Sequence, residues 1–338
     1  MKKIFTVIAL LVLTVSSCSP AVKAAEPTAT SSVTSVPTAT PTLTATPIPT
    51  ATPSPAPTFT PSPTPTVRET VLAAHEAERI AYLAEEGPAA TIPVFEYHGD
   101  NYYFQIGNAI IETSPAEFNR QMEWFHENHV HSVTVKELTD WLAGKIELPA
   151  RSVVLTFDLG NASVPAITRI IPVFTRWQMF GIFTIYLDRM NEGQSVLCVN
   201  DVCWQAFRDA YLSGYVDIGS HTVTHRDFAT LSEAEGLAEL ATSKSIIEEK
   251  IGNDLVVSSL TWPFESVPKW GPDISAIGFN IAFGGNTYPI LENSIHWDKP
   301  QDFYELPRIL PPGSDGISGR PNNKTLPQIM QMYTIGWK

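Results

Sequence analysis

Along its 338 residues the chain shows three successive patterns of hydrophobic and polar positions. An apolar run from Ile4 to Val15 follows Lys2 and Lys3. From Ser19 to about Val67 there is no periodicity, mainly Pro, Thr, Ser and Ala with almost no charge and scattered apolar residues. Beyond that point, short apolar runs rich in β-branched and aromatic residues alternate with stretches whose apolar positions recur at helical spacing. The runs predict strands at 92–97, 131–135, 152–157, 180–186, 215–218, 257–262 and 279–283. The intervening stretches predict helices at 115–128, 136–143, 163–178, 204–213 and 232–252. A further helix is expected over 68–86 (RETVLAAHEAERIAYLAEE), stopped at Gly87-Pro88, with His75 on its solvent side. Regular strand–helix alternation implies a parallel sheet or barrel covered by helices. Periodicity alone does not separate an open sheet from a closed barrel.

The first two stretches change the picture of where the protein works. Two lysines, a short apolar core and Val15-Ser16-Ser17-Cys18 read as a lipoprotein signal peptide over residues 1–18, with Cys18 as the lipidated residue; a plain signal peptide with an incidental Cys is the alternative. Its expected location is therefore extracytoplasmic, lipid-anchored to a bacterial membrane. Residues 19–67 cannot bury enough apolar surface to offset the entropy of ordering them. They read as a disordered stalk, which where extended spans on the order of 100 Å at roughly 3 Å per residue. Residues 68–87 then form a helical connector, and 88–338 the main domain. With 35 acidic against 22 basic residues the net charge is −13, which offers no basic surface to nucleic acid. Of the three cysteines, Cys18 goes to lipid, and Cys198 and Cys203 pair with each other in an oxidising compartment. Two free thiols, or two metal ligands, are the alternative.

Candidate chemistry is concentrated at two places. Residues 152–157 (SVVLTF) resemble a strand buried on both faces, and the run ends in Asp158-Leu159-Gly160. An Asp at the carboxyl end of such a strand lies where α/β proteins place their chemistry, although it can also simply start a turn or cap a helix. The second place is Gly219-Ser220-His221-Thr222-Val223-Thr224-His225, where two imidazoles three residues apart can meet one ion if the segment is helical or tightly turned. Alone, such a pair is also common on helix surfaces.

Together, TFDLG and SHTVTH, about sixty residues apart in this order, resemble the NodB-homology polysaccharide deacetylases (carbohydrate esterase family four). The resemblance runs over roughly residues 90–312. Ile92 to His98 (IPVFEYH) is similar to that family's opening strand. Residues 114–124 (SPAEFNRQMEW) and Glu305-Leu306-Pro307-Arg308-Ile309 resemble the branch acting on poly-N-acetylglucosamine. Leu260 to Glu265 (LTWPFE) falls where the family has an aromatic-Pro-aromatic-Gly segment.

What the resemblance implies is concrete. The fold would be a distorted (β/α) barrel of about seven strands, with the site at the strand carboxyl ends. The activity would be removal of N-acetyl groups from amino sugars in an N-acetylated polysaccharide, exopolysaccharide or peptidoglycan. Asp158 would be the base that takes a proton from water, and His98 the acid that protonates the leaving amine. His221 and His225 would hold a divalent metal, zinc or similar. Trp262 and Phe264 would line the sugar groove. Tyr102, Tyr103 and Phe104 offer a second rim, and Trp270, Trp297 and Tyr304 are either groove or packing. His126, His129 and His131 read as solvated loop histidines, and His296 fits no motif. One departure matters most: the family's metal-binding Asp is replaced by Leu159. Glu265, standing where relatives have Gly, is either a solvated loop residue or a replacement carboxylate. Two readings follow, a surface-anchored deacetylase and a catalytically degenerate carbohydrate-binding lipoprotein.

Overall fold

A computed structural model describes residues 64–98, 105–106, 109–110, 113–160, 164–187, 201–271, 273–284, 303–311 and 325–333. Cys18, the Pro/Thr-rich stalk up to residue 63, the aromatics at 102–104, Cys198, His296 and Trp297 lie outside the described residues.

Helix α1 (Val67–Glu86) opens the described chain; Thr66 and Glu69 close a reciprocal capping box at its start and Gly87 ends it. Strand β1 (Val94–His98) follows, then a two-residue hairpin, β2 (Gln105–Ile106) with β3 (Ala109–Ile110). Next come α2 (Pro115–Glu127), β4 (His131–Ser132), α3 (Val135–Leu142) and β5 (Ser152–Leu159). The chain continues through α4 (Val164–Trp177), β6 (Gly181–Ile185), α5 (Asp201–Leu212), β7 (Val216–Ser220) and α6 (Glu233–Ile251). It ends with β8 (Ser259–Thr261), β9 (Ile281–Phe283) and α7 (Leu326–Tyr333). The strands and helices expected from periodicity are present within a few residues of their predicted bounds; the hairpin and α7 were not expected.

The seven-stranded sheet runs β1-β5-β6-β7-β8-β9, with β4 pairing the start of β5, and every pairing in it is parallel. It curls toward closure because the segment 306–309 bridges its two edges. Ile309 exchanges backbone hydrogen bonds with β1, donating to Val94 and accepting from Glu96 at 2.8 Å each. Leu306 does the same with β9, donating to Ala282 at 2.9 Å and accepting from Gly284 at 2.7 Å. This is the distorted barrel that the resemblance implied.

Alternation along β5 sorts its side chains between two layers. Val153, Leu155 and Phe157 pack with residues of α2, α4, α5 and α6 in the larger apolar cluster. Val154 joins the smaller cluster inside the curl, together with Ile182, Ile281, Phe283, Leu306 and residues of α3. Thr156 and Asp158 share Val154's face and so lie inside the curl, above that plug of apolar side chains.

Candidate active site

Asp158 sits near the end of β5, its carboxylate hydrogen-bonded by two residues. Arg308 donates to both of its oxygens, Nη1 to Oδ1 and Nη2 to Oδ2, each at 2.9 Å. The Thr184 hydroxyl, on the adjacent β6, donates to Oδ1 at 2.8 Å. Burial alone would raise the Asp158 pKa, but the Arg308 guanidinium, with His221 and His98, holds its carboxyl well below the usual range. Arg308 reaches this position because the edge-bridging segment carries it across the top of the curl. The resemblance had pointed to its Leu-Pro-Arg-Ile context without giving Arg308 a role, and nothing local in the sequence pairs two residues 150 positions apart.

Arg308 serves three carboxylates at once. Its Nε donates to Glu265 Oε1 at 2.9 Å, its Nη2 contacts the same oxygen, and Nη2 also lies 3.4 Å from Glu96 Oε1. One cation among three buried acids leaves excess negative charge, and burial pushes the Glu265 carboxyl up to about 7. Glu265 follows Phe264 in a tight turn where both have positive φ, 57° and 58°. A β-carbon is disfavoured there, which is why a Gly is the natural occupant of such a position. The solvated-loop reading of Glu265 is thus corrected: the turn aims its side chain inward, onto Arg308, and its Oε2 is buried without a hydrogen-bond partner.

The two histidines are held by a tight turn rather than a helix, with Thr222 and His225 at φ 72° and 52°. Glu239 on α6 pins this turn by accepting from the backbone N–H of Val223 and Thr224, at 3.0 and 2.9 Å, and from the Thr224 hydroxyl. His221 Nδ1 donates to the Thr261 carbonyl at 2.8 Å, which leaves the Nε2 lone pair facing the site. Burial lowers the His221 pKa, with the Asp158 carboxylate opposing it. His225 Nε2 lies 3.1 Å from His221 Nε2, with the ring planes at 79°. Nε2 of His221 is 3.7 Å from Asp158 Oδ2. His98, half-exposed at the end of β1, places Nε2 4.0 Å from the same oxygen and 3.6 Å from Glu96 Oε1. Asp158, His98, His221 and His225 therefore lie near one another at the carboxyl ends of the strands.

The aromatic assignments divide. Phe264 is exposed and meets the His225 ring edge-on at 4.7 Å, so it borders the site. Trp262 does not line a groove. It is completely buried, packs against Phe228, and gives its indole N–H to the Tyr304 carbonyl at 2.7 Å. The motif segment turns over at Pro263, so the indole belongs to the core and the next aromatic reaches the surface. Tyr304 is likewise core. Tyr186, which sequence reasoning missed, flanks both histidines at 5.9 and 5.2 Å. It also explains Gly160, since a β-carbon there would fall 2.2 Å from the Tyr186 ring.

The fit to a divalent ion can be tested on these donors. The imidazole pair suits one: two nitrogens bound to a tetrahedral ion at about 2.0–2.1 Å stand roughly 3.3 Å apart. The third place fails. Leu159 is fully buried and committed to apolar packing with residues such as Phe157 and Ile185. Among the described residues, no third His, Cys, Asp or Glu groups with the pair; Glu96, His98 and Asp158 form a group of their own, into which Arg308 already projects. Glu265 is directed to Arg308. This donor set does not fit a centre with three protein ligands.

Residues 145–270 match the polysaccharide deacetylase family model. Over that stretch the chain is similar to the polysaccharide deacetylases. The Bacillus subtilis (strain 168) protein YxkH, named for polysaccharide deacetylase, is 24% identical over 184 residues, covering 54% of this chain and 61% of YxkH. Among solved structures, the polysaccharide deacetylase BC0361 from Bacillus cereus superposes with a TM-score of 0.53 at 18% identity, over 72% of this chain and 69% of that one. The BpsB deacetylase domain from Bordetella bronchiseptica gives 0.51 at 19% identity, over 65% of this chain and 96% of that domain. These structures share the fold of this domain, and its site residues rest on the geometry above. Cys203 is disulfide-bonded, and its expected partner Cys198 lies outside the described residues.

Proposed function

We propose that the protein hydrolyses N-acetyl groups on amino sugars of an exopolysaccharide or of peptidoglycan, held outside the cytoplasm by a lipid on Cys18. The observation that carries this reading is the constellation at the strand carboxyl ends: a buried carboxylate, Asp158, oriented by Arg308 and Thr184 and faced by His98 and His221. Deacetylation adds water to the acetyl carbon, breaks the C–N bond, and returns a proton to the amine. Asp158 is placed to take the water's proton, and half-exposed His98 to deliver one to the sugar nitrogen. The bidentate grip of Arg308 fixes which oxygens point where, and its charge stabilises the carboxylate form. Phe264 gives the rim an apolar face on which a pyranose can stack. No step is assigned to a metal.

Leu159 favours a second reading, a domain that binds N-acetylated polysaccharide without turning it over. Acetate release from N-acetylglucosamine oligomers, measured for the full chain with zinc, with chelator and untreated, separates the two. Release that disappears in Asp158→Asn is the expected result. Oligomer binding with no acetate released under any condition overturns the hydrolase in favour of the binding protein.

A further inference from the structure

A second cluster of titratable side chains lies at the opposite end of the sheet from Asp158. His131 opens β4 and pairs with Ser152, the first residue of β5, so the cluster is at the strand amino ends. The expectations for two of its members fail here. His75 was placed on the solvent side of α1 and His131 among solvated loop histidines, yet both are buried. Their rings stack at 4.2 Å with planes 16° apart, and Phe180 packs on His75.

Two carboxylates bracket the stack. Glu137 on α3 offers Oε2 to His75 Nε2 and Oε1 to His131 Nε2, each at 3.2 Å. Glu78 on α1 lies beyond the other edge, with Oε1 3.4 Å from His131 Nδ1 and 3.9 Å from His75 Nδ1. Arg79 Nε stands 3.9 Å from Glu137 Oε1, although its guanidinium is mainly engaged by Glu76 and the Glu147 carbonyl. Tyr215, ahead of β7, stays protonated, its pKa raised by burial and by Glu78. These groups, from α1, α3 and the β7 approach, are the titratable and charged neighbours of His131.

A neutral imidazole carries one N–H, and His131 has a carboxylate oxygen at hydrogen-bond distance from each ring nitrogen. Only the imidazolium satisfies both. We infer that His75, His131, Glu78 and Glu137 form a proton-dependent clasp that docks helix α1, where the stalk joins the domain, onto the base of the barrel. A metal fits poorly. Stacked rings aim their nitrogens in parallel rather than at one point, and Glu137 Oε2 already accepts the Thr134 N–H and hydroxyl, both at 2.9 Å, as the cap of α3.

The direction of the pH effect follows from His131. Burial opposes its charge, but the hydrogen bonds it donates to Glu137 and Glu78 outweigh this and raise its pKa. A histidine shifted upward contributes stability fully below its unfolded value, near 6.5, and loses it as pH rises through the folded value. The clasp is therefore closed in mild acid and loosens in alkali.

Hydrogen exchange of the full chain at pH 6 and pH 9, corrected for intrinsic exchange, is the test. Protection of α1 should fall at pH 9 while β5 to β7 keep theirs. His131→Gln should remove the difference. Because His131 is wholly buried and that variant can fail to fold, Glu78→Gln at a partly exposed position is the second variant; it should shrink the loss of α1 protection. Equal α1 protection at both pH values overturns the clasp. So does zinc-dependent protection of α1 in a His221→Ala/His225→Ala background, which would make the cluster a metal site instead.

Discussion

Replacing Arg308 with Met is the most informative single perturbation, because it removes one cation from among three buried acids while keeping much of the side-chain volume. Asp158 loses two hydrogen bonds of 2.9 Å, and Glu265 loses its bonds to the guanidinium. Breaking a buried ion pair from one side typically costs about 3–5 kcal/mol, since the remaining charge stays buried without compensation. Two carboxylates are stranded here, so the upper half of that range applies. Against a total stability of roughly 5–15 kcal/mol this is a large fraction, and at about 2–4 °C per kcal/mol it lowers Tm by on the order of 10–15 °C.

The pH dependence carries the diagnosis. In the wild type the Asp158 pKa is depressed, so its contribution is present above the unfolded value near 3.9 and is lost as pH falls through the folded value. In Arg308→Met the main opposition to burial is gone, and the folded carboxyls bind protons more readily than in the wild type. The variant therefore recovers stability relative to the wild type as pH falls. Thermal unfolding followed by circular dichroism at pH 8 and pH 5 should give a gap between wild type and variant that is wide at pH 8 and narrower at pH 5. Adding Glu265→Gln should restore part of the loss at pH 8, because one stranded charge is gone. A gap that is the same at both pH values, or a double variant less stable than Arg308→Met, refutes the charge argument and leaves Arg308 as a packing residue.

Two further outcomes are expected. Leu159→Asp places a carboxylate at a position with no exposure, so without metal its Tm should drop, and zinc should raise it again by completing a third donor beside His221 and His225, read by calorimetry and thermal shift; no zinc effect would mean that position 159 does not face the pair. Cys18→Ser should move the protein out of the membrane fraction, and signal-cleaved protein still found there would exclude lipid on Cys18 as the anchor.

The sequence made some features legible for physical reasons. β5 is readable because a strand covered on both faces must be nearly all apolar until it reaches the site. Helix ends are readable because Thr66, Thr134 and Ser232 satisfy backbone donors in capping boxes with Glu69, Glu137 and Glu235. The buried face of α1 was not readable. It carries His75 and Arg79 at helical spacing while Ile80 is exposed, so hydrophobic periodicity assigns the wrong side. Burial of polar side chains depends on partners elsewhere in the chain, here Glu137 and the Glu147 carbonyl. Trp262 failed for the same kind of reason: a motif position gave it a place near the site, and the acceptor for its indole, the Tyr304 carbonyl, was invisible to that motif. Arg308 and Glu265 combine the two difficulties, each acquiring its role only when distant segments meet.

The bridging of the sheet edges by residues 306–309 has a kinetic side. Asp158 and Arg308 are separated by 150 positions, and β1 meets Ile309 across more than two hundred. Contacts of such separation carry the chain-closure entropy of a long loop before they return any stabilisation, so they form late. A chain synthesised from its amino terminus can pair β5, β6 and β7 before residue 308 is available. During that interval the Asp158 carboxyl stands without its guanidinium at the end of an open, curling sheet, and the sheet has two unpaired edges. The bridging segment thus marks the step at which the sheet edges close and the site acquires its guanidinium, and the timing of that step is set by when residues 306–309 become available.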